Sequence, residues 1–401
     1  MTIAPSATWH VITGEYPPQP GGVSDYTLSV ARGIAETGAK VHVWCPQTHG
    51  ATPDIPGVTV HRVAGNWNRA DFQRVDRQLD QLPGPRRLLV QWVPQAFGHR
   101  SLNLGFCRWI RRRAQQGDSI DVMVHEAFLA FIEGSWRQDI AAAVHRVMVT
   151  VLLSRATRIW VSIPAWGDSL RPYCLGRRVE FGWLPVPSNI PFLPDAQGAM
   201  AVRDALAPSG AALIGHFGTY GRHLRTDLDR LVPALIHGES TLSVVLMGRD
   251  SDAFRTALVA AHPTLSARVH ATGRLDARTL STTLQACDLV VQPYPDGASS
   301  RRGTLMAALA HGVPVVTTNG RLSETIWRGS GAVRLVAAGD LSGLARAALD
   351  LCANPEERRR LGAAGQALYA RLFDLANTIQ ALVSEGRGPR TAYPSLAAEA
   401  H

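Results

Sequence analysis

The chain has 401 residues, 46% of them hydrophobic and 18% charged, with a formal net charge of +9. That balance excludes a disordered polymer and suits one large or two ordinary domains with full cores. The charge permits contact with nucleic acid or anionic lipid, but there is no zinc-finger spacing, no ribonucleoprotein-type aromatic motif and no sustained basic stripe, so nucleic acid is not an expected partner.

The five cysteines, at 45, 107, 174, 287 and 352, are scattered and lack CxxC spacing. Reduced thiols in the cytoplasm and no metal cluster are expected. Lys40 is the sole lysine, so arginine carries nearly all the positive charge. Arginine is the better fork for phosphate oxygens, although a genomic habit gives the same bias.

In chain order, strand-like runs lie at 9–13, 41–44, 58–63, 88–92, 122–125, 159–162 and 181–184. Several are almost continuously apolar, as parallel strands covered on both faces are. The first begins by Trp9, which is read as leaving no room for a signal peptide. It runs into EYPPQPGGVSDY, residues 15–26. Pro17, Pro18 and Pro20 stiffen this loop, and Gly21 and Gly22 let backbone approach a ligand. A helix over 24–37 with Ser24 as N-cap follows, and its opening amides suit an anion. No GxGxxG is present there, so this is not a dinucleotide fingerprint.

Further on, Arg108-Trp109-Ile110-Arg111-Arg112-Arg113 is the densest basic stretch, on a helix beginning near Ser101. It reads either as a solvated helix end or as a contact for lipid headgroups. The apolar run 140–153 is interrupted by His145 and Arg146 and is too short to span a bilayer. Any membrane contact is therefore expected to be peripheral, at the inner face for a cytoplasmic protein. The loops 64–72 and 94–100 and the segment 126–139 are candidates for shaping a ligand site. The aromatics Trp67, Trp92, Phe97, Phe128 and Trp136, in or near these stretches, stack on a ligand or pack into the core.

The proline-rich stretch PVPSNIPFLP at 185–194 reads as a linker. Strand patterns resume at 211–217, 243–248, 269–273, 288–293 and 314–318, with helices at 227–237, 252–261, 277–286, 303–311, 341–352, 355–372 and 375–385 and then a polar tail. Two βα series imply an α/β fold of two Rossmann-like, doubly wound domains facing across a cleft. The expected division is 1–190, 191–374, and a segment 375–401 whose helix returns to the first domain.

Residues 292–320, QPYPDGASSRRGTLMAALAHGVPVVTTNG, are the most informative. Ser299, Ser300, Gly303 and Thr304 cluster where a helix of small residues begins, with Gly312 as its C-terminal stop. Amides and dipole at such a start favour phosphate, and Arg301 and Arg302 add charge for a diphosphate. The alternative is a polar loop with solvated arginines.

Taken together, these stretches resemble a GT-B glycosyltransferase of the GT4 type, a family of retaining enzymes that use nucleotide-diphosphate sugars. The likeness rests on the GGV loop, the His125-Glu126 pair, PVPSNIP, TGRL at 272–275, ACDLVVQPYPDG, ALAHGVPVV and Glu324 beyond the last strand. It implies a retaining hexosyltransferase with the donor held mainly by the second domain. The first domain would hold a small-molecule, glycan or lipid-linked acceptor. It also implies no metal and no cofactor besides the sugar nucleotide.

By position, the resemblance puts His125 beside the donor sugar with Glu126 next to it, and Gly21 and Gly22 near the diphosphate and sugar. Arg225 stands close to a diphosphate-binding lysine of the family. Arg274 and Leu275 would meet the nucleobase, with Glu324 grouped among the nucleotide contacts. The family's two glutamates, eight positions apart, are here Ser299 and Ala307, and Asp296 is the carboxylate left to serve in place of the first. Thr219 replaces a frequent arginine. These departures keep two other readings open: a degenerate member that binds sugar nucleotide or a partner without transfer, and a nonhydrolysing sugar-nucleotide epimerase.

Overall fold

A computed structural model describes residues 8–98, 101–239 and 241–384. The end of the 94–100 loop and the tail after 384 lie outside the described residues. One compact unit holds the described residues up to Pro185 together with those from Leu375; a second spans Val186–Asp374.

The strands of the first unit are β1 (Thr8–Ile12), β2 (Val41–Pro46), β3 (Val58–Ala64), β4 (Arg86–Trp92), β5 (Ser119–Val124), β6 (Arg158–Val161) and β7 (Glu180–Trp183). They form a parallel sheet in the order β3-β2-β1-β4-β5-β6-β7. The second unit contributes β8 (Ala212–Phe217), β9 (Leu242–Met247), β10 (Val269–Ala271), β11 (Leu289–Gln292), β12 (Val315–Asn319) and β13 (Arg334–Ala337). Their order is β10-β9-β8-β11-β12-β13, again parallel. Both units are thus doubly wound Rossmann-like domains. In each, chain order reverses at one place, β1/β4 and β8/β11, and the crevice outside the carboxyl ends there is where such sheets hold ligands.

β13 has no counterpart among the predicted strands. It is a four-residue edge strand with both ends exposed, so it lacks the continuous apolar signature of its neighbours. The first helix also starts earlier than predicted, at Gly22 with Gly21 as N-cap, and runs to Glu36. Ser24 lies inside its first turn, where its hydroxyl donates to the Gln19 carbonyl (2.7 Å).

Most of the candidate stacking aromatics are core. Trp67, Trp92 and Phe97 are fully buried and pack with Phe72, Phe106 and Trp109 in one aromatic cluster. Phe128 is half-buried against Tyr173, whereas Trp136 is 66% exposed. The arginine run on helix Leu104–Gln115 divides in the same way. Arg113 is buried and ion-paired with Asp76, Asp80 and Asp118, and Arg112 pairs with Asp76, while Arg108 and Arg111 face solvent.

Helix Leu375–Val383 packs on helix Gly22–Glu36. Gly33 makes this close approach fit, because a Cβ there would stand 2.6 Å from Ile379 Cγ1.

Candidate active site

In the first unit the loop after β1 is pinned from several sides. The Thr13 hydroxyl donates to the Glu15 carbonyl (2.8 Å), Arg62 donates to the Pro17 carbonyl, and Tyr16 is fully buried. A Cβ on Gly14 would collide with the Ala96 carbonyl at 2.2 Å, so the loops following β1 and β4 touch at the switch point. The anion position expected at the helix start is held by the chain's own Glu15. Its Oε1 accepts from the Ser24 amide (2.9 Å), with Val23 also contributing, and a Cβ on Gly21 would meet the same carboxylate at 2.3 Å. Burial pushes this carboxyl up, against the pull of those amides. At Gly22 a Cβ would meet nothing within 4 Å.

His125 directly follows β5. Its amide donates to the Trp92 carbonyl (3.0 Å), and its carbonyl accepts from Ser162 Oγ (3.1 Å) and Trp166 Nε1 (3.0 Å). The ring is buried, edge-on to Tyr26 with centroids 4.7 Å apart, and its Nε2 lies 2.8 Å from Gln91 Oε1. Burial lowers its pKa to about 3, so the imidazole is neutral. Glu126 is half-buried, and its Oε2 accepts from Gln95 Nε2 at 3.4 Å. The GGV helix, through Tyr26, and the His125-Glu126 pair are therefore neighbours.

In the second unit the turn after β11 packs on the loop after β12. Ala298 N donates to the Thr318 carbonyl (2.7 Å) and Leu322 N to the Asp296 carbonyl (2.9 Å). Gly297 sits at φ +89°, in the left-handed region, with Ser323 Oγ and Gly320 N where a Cβ would go. Asp296 is ion-paired with both Arg301 and Arg302. Burial works to raise its carboxyl, but the Arg302 and Arg301 guanidiniums outweigh that and hold it below the usual range. Arg302 also lies 4.7 Å from the centre of the Tyr294 ring. The Tyr294 hydroxyl is 2.6 Å from Thr304 Oγ1.

Ser299 is fully buried, and its Oγ has no hydrogen-bond partner among the described residues. Ser300 donates its amide (2.9 Å) and its hydroxyl to Glu324 Oε1, and Trp327 Nε1 donates to Oε2 (2.6 Å). Glu324 is thus a buried brace for the turn, its carboxyl pushed up by burial. Helix Gly303–Ala310 opens next with no side-chain cap, and Gly312 closes it at φ +65°.

Arg225 lies in the first turn of helix Arg222–Gly238, after β8, and donates from Nε to the Tyr220 carbonyl (2.7 Å). Arg274 and Leu275 follow β10, in a turn held by Gly273 N to Ser251 Oγ (2.9 Å), with Arg274 exposed and Leu275 half-buried. Every expected donor residue of this unit therefore lies beyond a strand's carboxyl end. Ion pairs join Asp296 to Arg301 and Arg302, Tyr294 links Arg302 to Thr304, and Ser300 binds Glu324 in the same turn; among the described residues none of these contacts reaches Arg225 or Arg274.

Residues 212–354 match the family model described as glycosyl transferases group 1. Over those residues, about a third of its length, the chain is similar to a group 1 glycosyl transferase domain. No curated protein matches the chain. Solved structures share its GT-B fold over almost its whole length. Sucrose-phosphate synthase from Thermosynechococcus elongatus superposes with TM-score 0.73 at 17% identity, covering 94% of this chain and 98% of its own. WaaG, a glycosyltransferase involved in lipopolysaccharide biosynthesis, gives 0.67 at 15%, and Anabaena HepE, solved with UDP and glucose, gives 0.68 at 14%; both pairs cover 94% of this chain and 98% of the other. At such identities the likeness is one of fold.

Local sequence pointed to the Asp296–Thr304 turn but not to its internal pairing. It also passed over Glu15, Tyr26 and Gln91 in the first unit. Glu15 carried a signal, a carboxylate a few residues before a glycine-led helix. Gln91 carried none, because it is one polar residue in a buried strand. Among the described residues no group of three or more His, Cys, Asp or Glu is placed to hold a metal ion.

Proposed function

We propose that the chain transfers a hexosyl group from a nucleotide-diphosphate sugar to an acceptor with retention of anomeric configuration, as a GT4-type enzyme. The supporting observation is the turn from Asp296 to Thr304. Two guanidinium groups and an uncapped helix start gather at the switch point of a sheet that belongs to a group 1 glycosyl transferase domain. Structures of similar fold add weight, since Anabaena HepE was solved with UDP-glucose.

In this scheme the bond between the anomeric carbon and the diphosphate oxygen breaks, and its electron pair stays with the diphosphate. Arg301 and Arg302, the amides opening at Gly303 and Thr304, and the unspent Ser299 hydroxyl take up that charge. Arg225 supplies a further cation. Arg274 and Leu275 take the base, and Glu324 braces the turn. The acceptor oxygen bonds to the same face of the sugar, and its proton passes to the leaving phosphate. No metal or further cofactor is required.

The neutral ring of His125 holds a sugar hydroxyl, backed by Glu126, while Gly22 leaves its backbone open to the sugar and diphosphate and the Glu15 carboxylate fills the space beside Gly21. Asp296 stands in for the first family glutamate. The domain up to about residue 190 takes a small-molecule, glycan or lipid-linked acceptor, 191–374 takes the donor, and the protein works in the cytoplasm with peripheral contact at the inner membrane face.

Ala307 and the Asp296 pairing favour one second reading, a member that binds sugar nucleotide without transfer. Calorimetry with UDP, GDP and their sugars, followed by donor-hydrolysis and transfer assays, separates the two. Arg301→Ala and Arg302→Ala are expected to weaken nucleoside-diphosphate binding roughly tenfold or more. Unchanged affinity in both variants would overturn the phosphate role. Conversion of the donor with no acceptor present would point instead to an epimerase.

A further inference from the structure

Helix Trp136–Leu153 is apolar on nearly every side, yet protein covers only part of it. Ala142, His145, Met148, Val149, Leu152 and Leu153 face inward. Trp136 (66% exposed), Ile140 (53%) and Val147 (51%) face outward, with exposed Ala143 between them. The spacing 136, 140, 143, 147 is one stripe at the helical period. Phe131 (55%) and Ile132 (48%), from the loop before the helix, extend it.

That loop is held in place rather than loose. Arg146 donates to the Leu129 carbonyl (3.0 Å), and its guanidinium lies 4.1 Å from the centre of the Phe131 ring. The Ile132 amide donates to Asp139 Oδ1 (2.9 Å), and Gln138 Nε2 donates to the Ala130 carbonyl (3.1 Å). Backbone groups satisfied in this way can enter an apolar boundary without leaving orphans.

We propose that this stripe and loop dock the protein on the surface of a bilayer containing anionic lipid. Charge selects that occupant. Arg137 is exposed beside Trp136 (5.3 Å to the ring centre), and Arg108 and Arg111 face solvent on helix Leu104–Gln115, which packs against this helix. The acidic groups of the patch are Glu133, which is exposed, and half-buried Asp139, which is bound to the Ile132 amide. With a net charge of +9, a second copy meets repulsion, whereas anionic headgroups meet attraction. Tryptophan beside arginine on an apolar face is the composition of a helix lying in the headgroup boundary. Among the described residues no helix is long and apolar enough to cross a membrane, so the helix lies on the surface. The docked loop is the one that leaves His125 and Glu126. This deepens the acceptor side of the transferase reading toward an acceptor carried on lipid.

The test is co-sedimentation of the full chain with vesicles of phosphatidylcholine alone or mixed equally with phosphatidylglycerol. The chain should bind the mixed vesicles, more weakly as salt rises. Trp136→Ser/Ile140→Ser should lower the binding constant about tenfold or more, and Arg108→Ser/Arg111→Ser should remove the preference for anionic lipid. All four changes are at exposed positions, and melting curves check the fold. No binding by the parent chain, or equal binding by the Trp136/Ile140 variant, overturns the proposal. So does a dimer in light scattering that the same variant dissociates, which would make a second copy the occupant. Vesicle binding needs neither donor nor acceptor, so its failure leaves the transferase reading standing.

Discussion

Gln91 Oε1, on β4, and His125 Nε2, just past the end of neighbouring β5, lie 2.8 Å apart and fix the protonation pattern of the imidazole. An amide oxygen only accepts, so Nε2 carries the proton and Nδ1 keeps its lone pair. Gln91 Nε2 and the Tyr26 hydroxyl, both buried around the ring, have no partner among the described residues. Polar atoms stranded together in this way mark a place where a ligand hydroxyl or a water completes the network.

Gln91→Leu should therefore lower transfer about tenfold, the scale of one lost hydrogen bond to a buried group, while nucleoside-diphosphate affinity is kept. Gln91→Glu should raise the His125 pKa, because a carboxylate favours the charged ring. Its acid limb in the pH–rate profile should then move toward neutrality, and nitrogen-15 shifts of His125 should report the change. Identical shifts and profiles in parent and variant would dismiss Gln91 as a positioning residue.

Asp296 is ion-paired with Arg301 and Arg302, so in the proposed function it would compete with a diphosphate for them. Asp296→Asn removes the internal anion but keeps the shape, so UDP or GDP should bind several-fold tighter by calorimetry. Weaker binding would mean that the carboxylate orients the guanidiniums rather than blocking them.

Acid should destabilise the first unit through stacked histidines on β1, β2 and β3. His10 is lowered to about 3 by burial and then by His42, His61 to about 4 by burial and then by His42, and burial also lowers His42. The unfolded chain takes up protons near pH 6.5. The folded rings refuse them until the pH approaches their lowered values. Stability is thus complete above about pH 6.5 and falls as pH drops from there toward 4. His61→Phe keeps the stacking on Trp44, whose ring centre is 4.0 Å away, so melting temperature should depend less steeply on pH in that variant. An unaltered slope would assign the acid sensitivity elsewhere.

Gly33→Val should cost about 1–3 kcal/mol of stability in thermal melts, since its Cβ enters the space of Ile379. Ile379→Ala should recover part of the loss in the double variant, because the two changes share one contact. Strictly additive losses would show that helix Leu375–Val383 is not seated there.

Local signals determined much of this protein. Apolar runs separated by helical periods specify two βα series, since covered parallel strands cannot read otherwise. Gly312 ends its helix by a backbone preference internal to the residue. The Ser299–Thr304 stretch marked the start of a helix, which the structure places at Gly303. Tertiary structure decided what depends on side chains far apart in sequence. It turned Trp67, Trp92 and Phe97 inward and Trp136 outward, gave Arg113 to three aspartates while leaving Arg108 in solvent, set Glu15 on the amides that open a helix, and joined Gln91 to His125. Periodicity records which residues are apolar, but burial and pairing arise only when separate elements meet, so no window of sequence contains them.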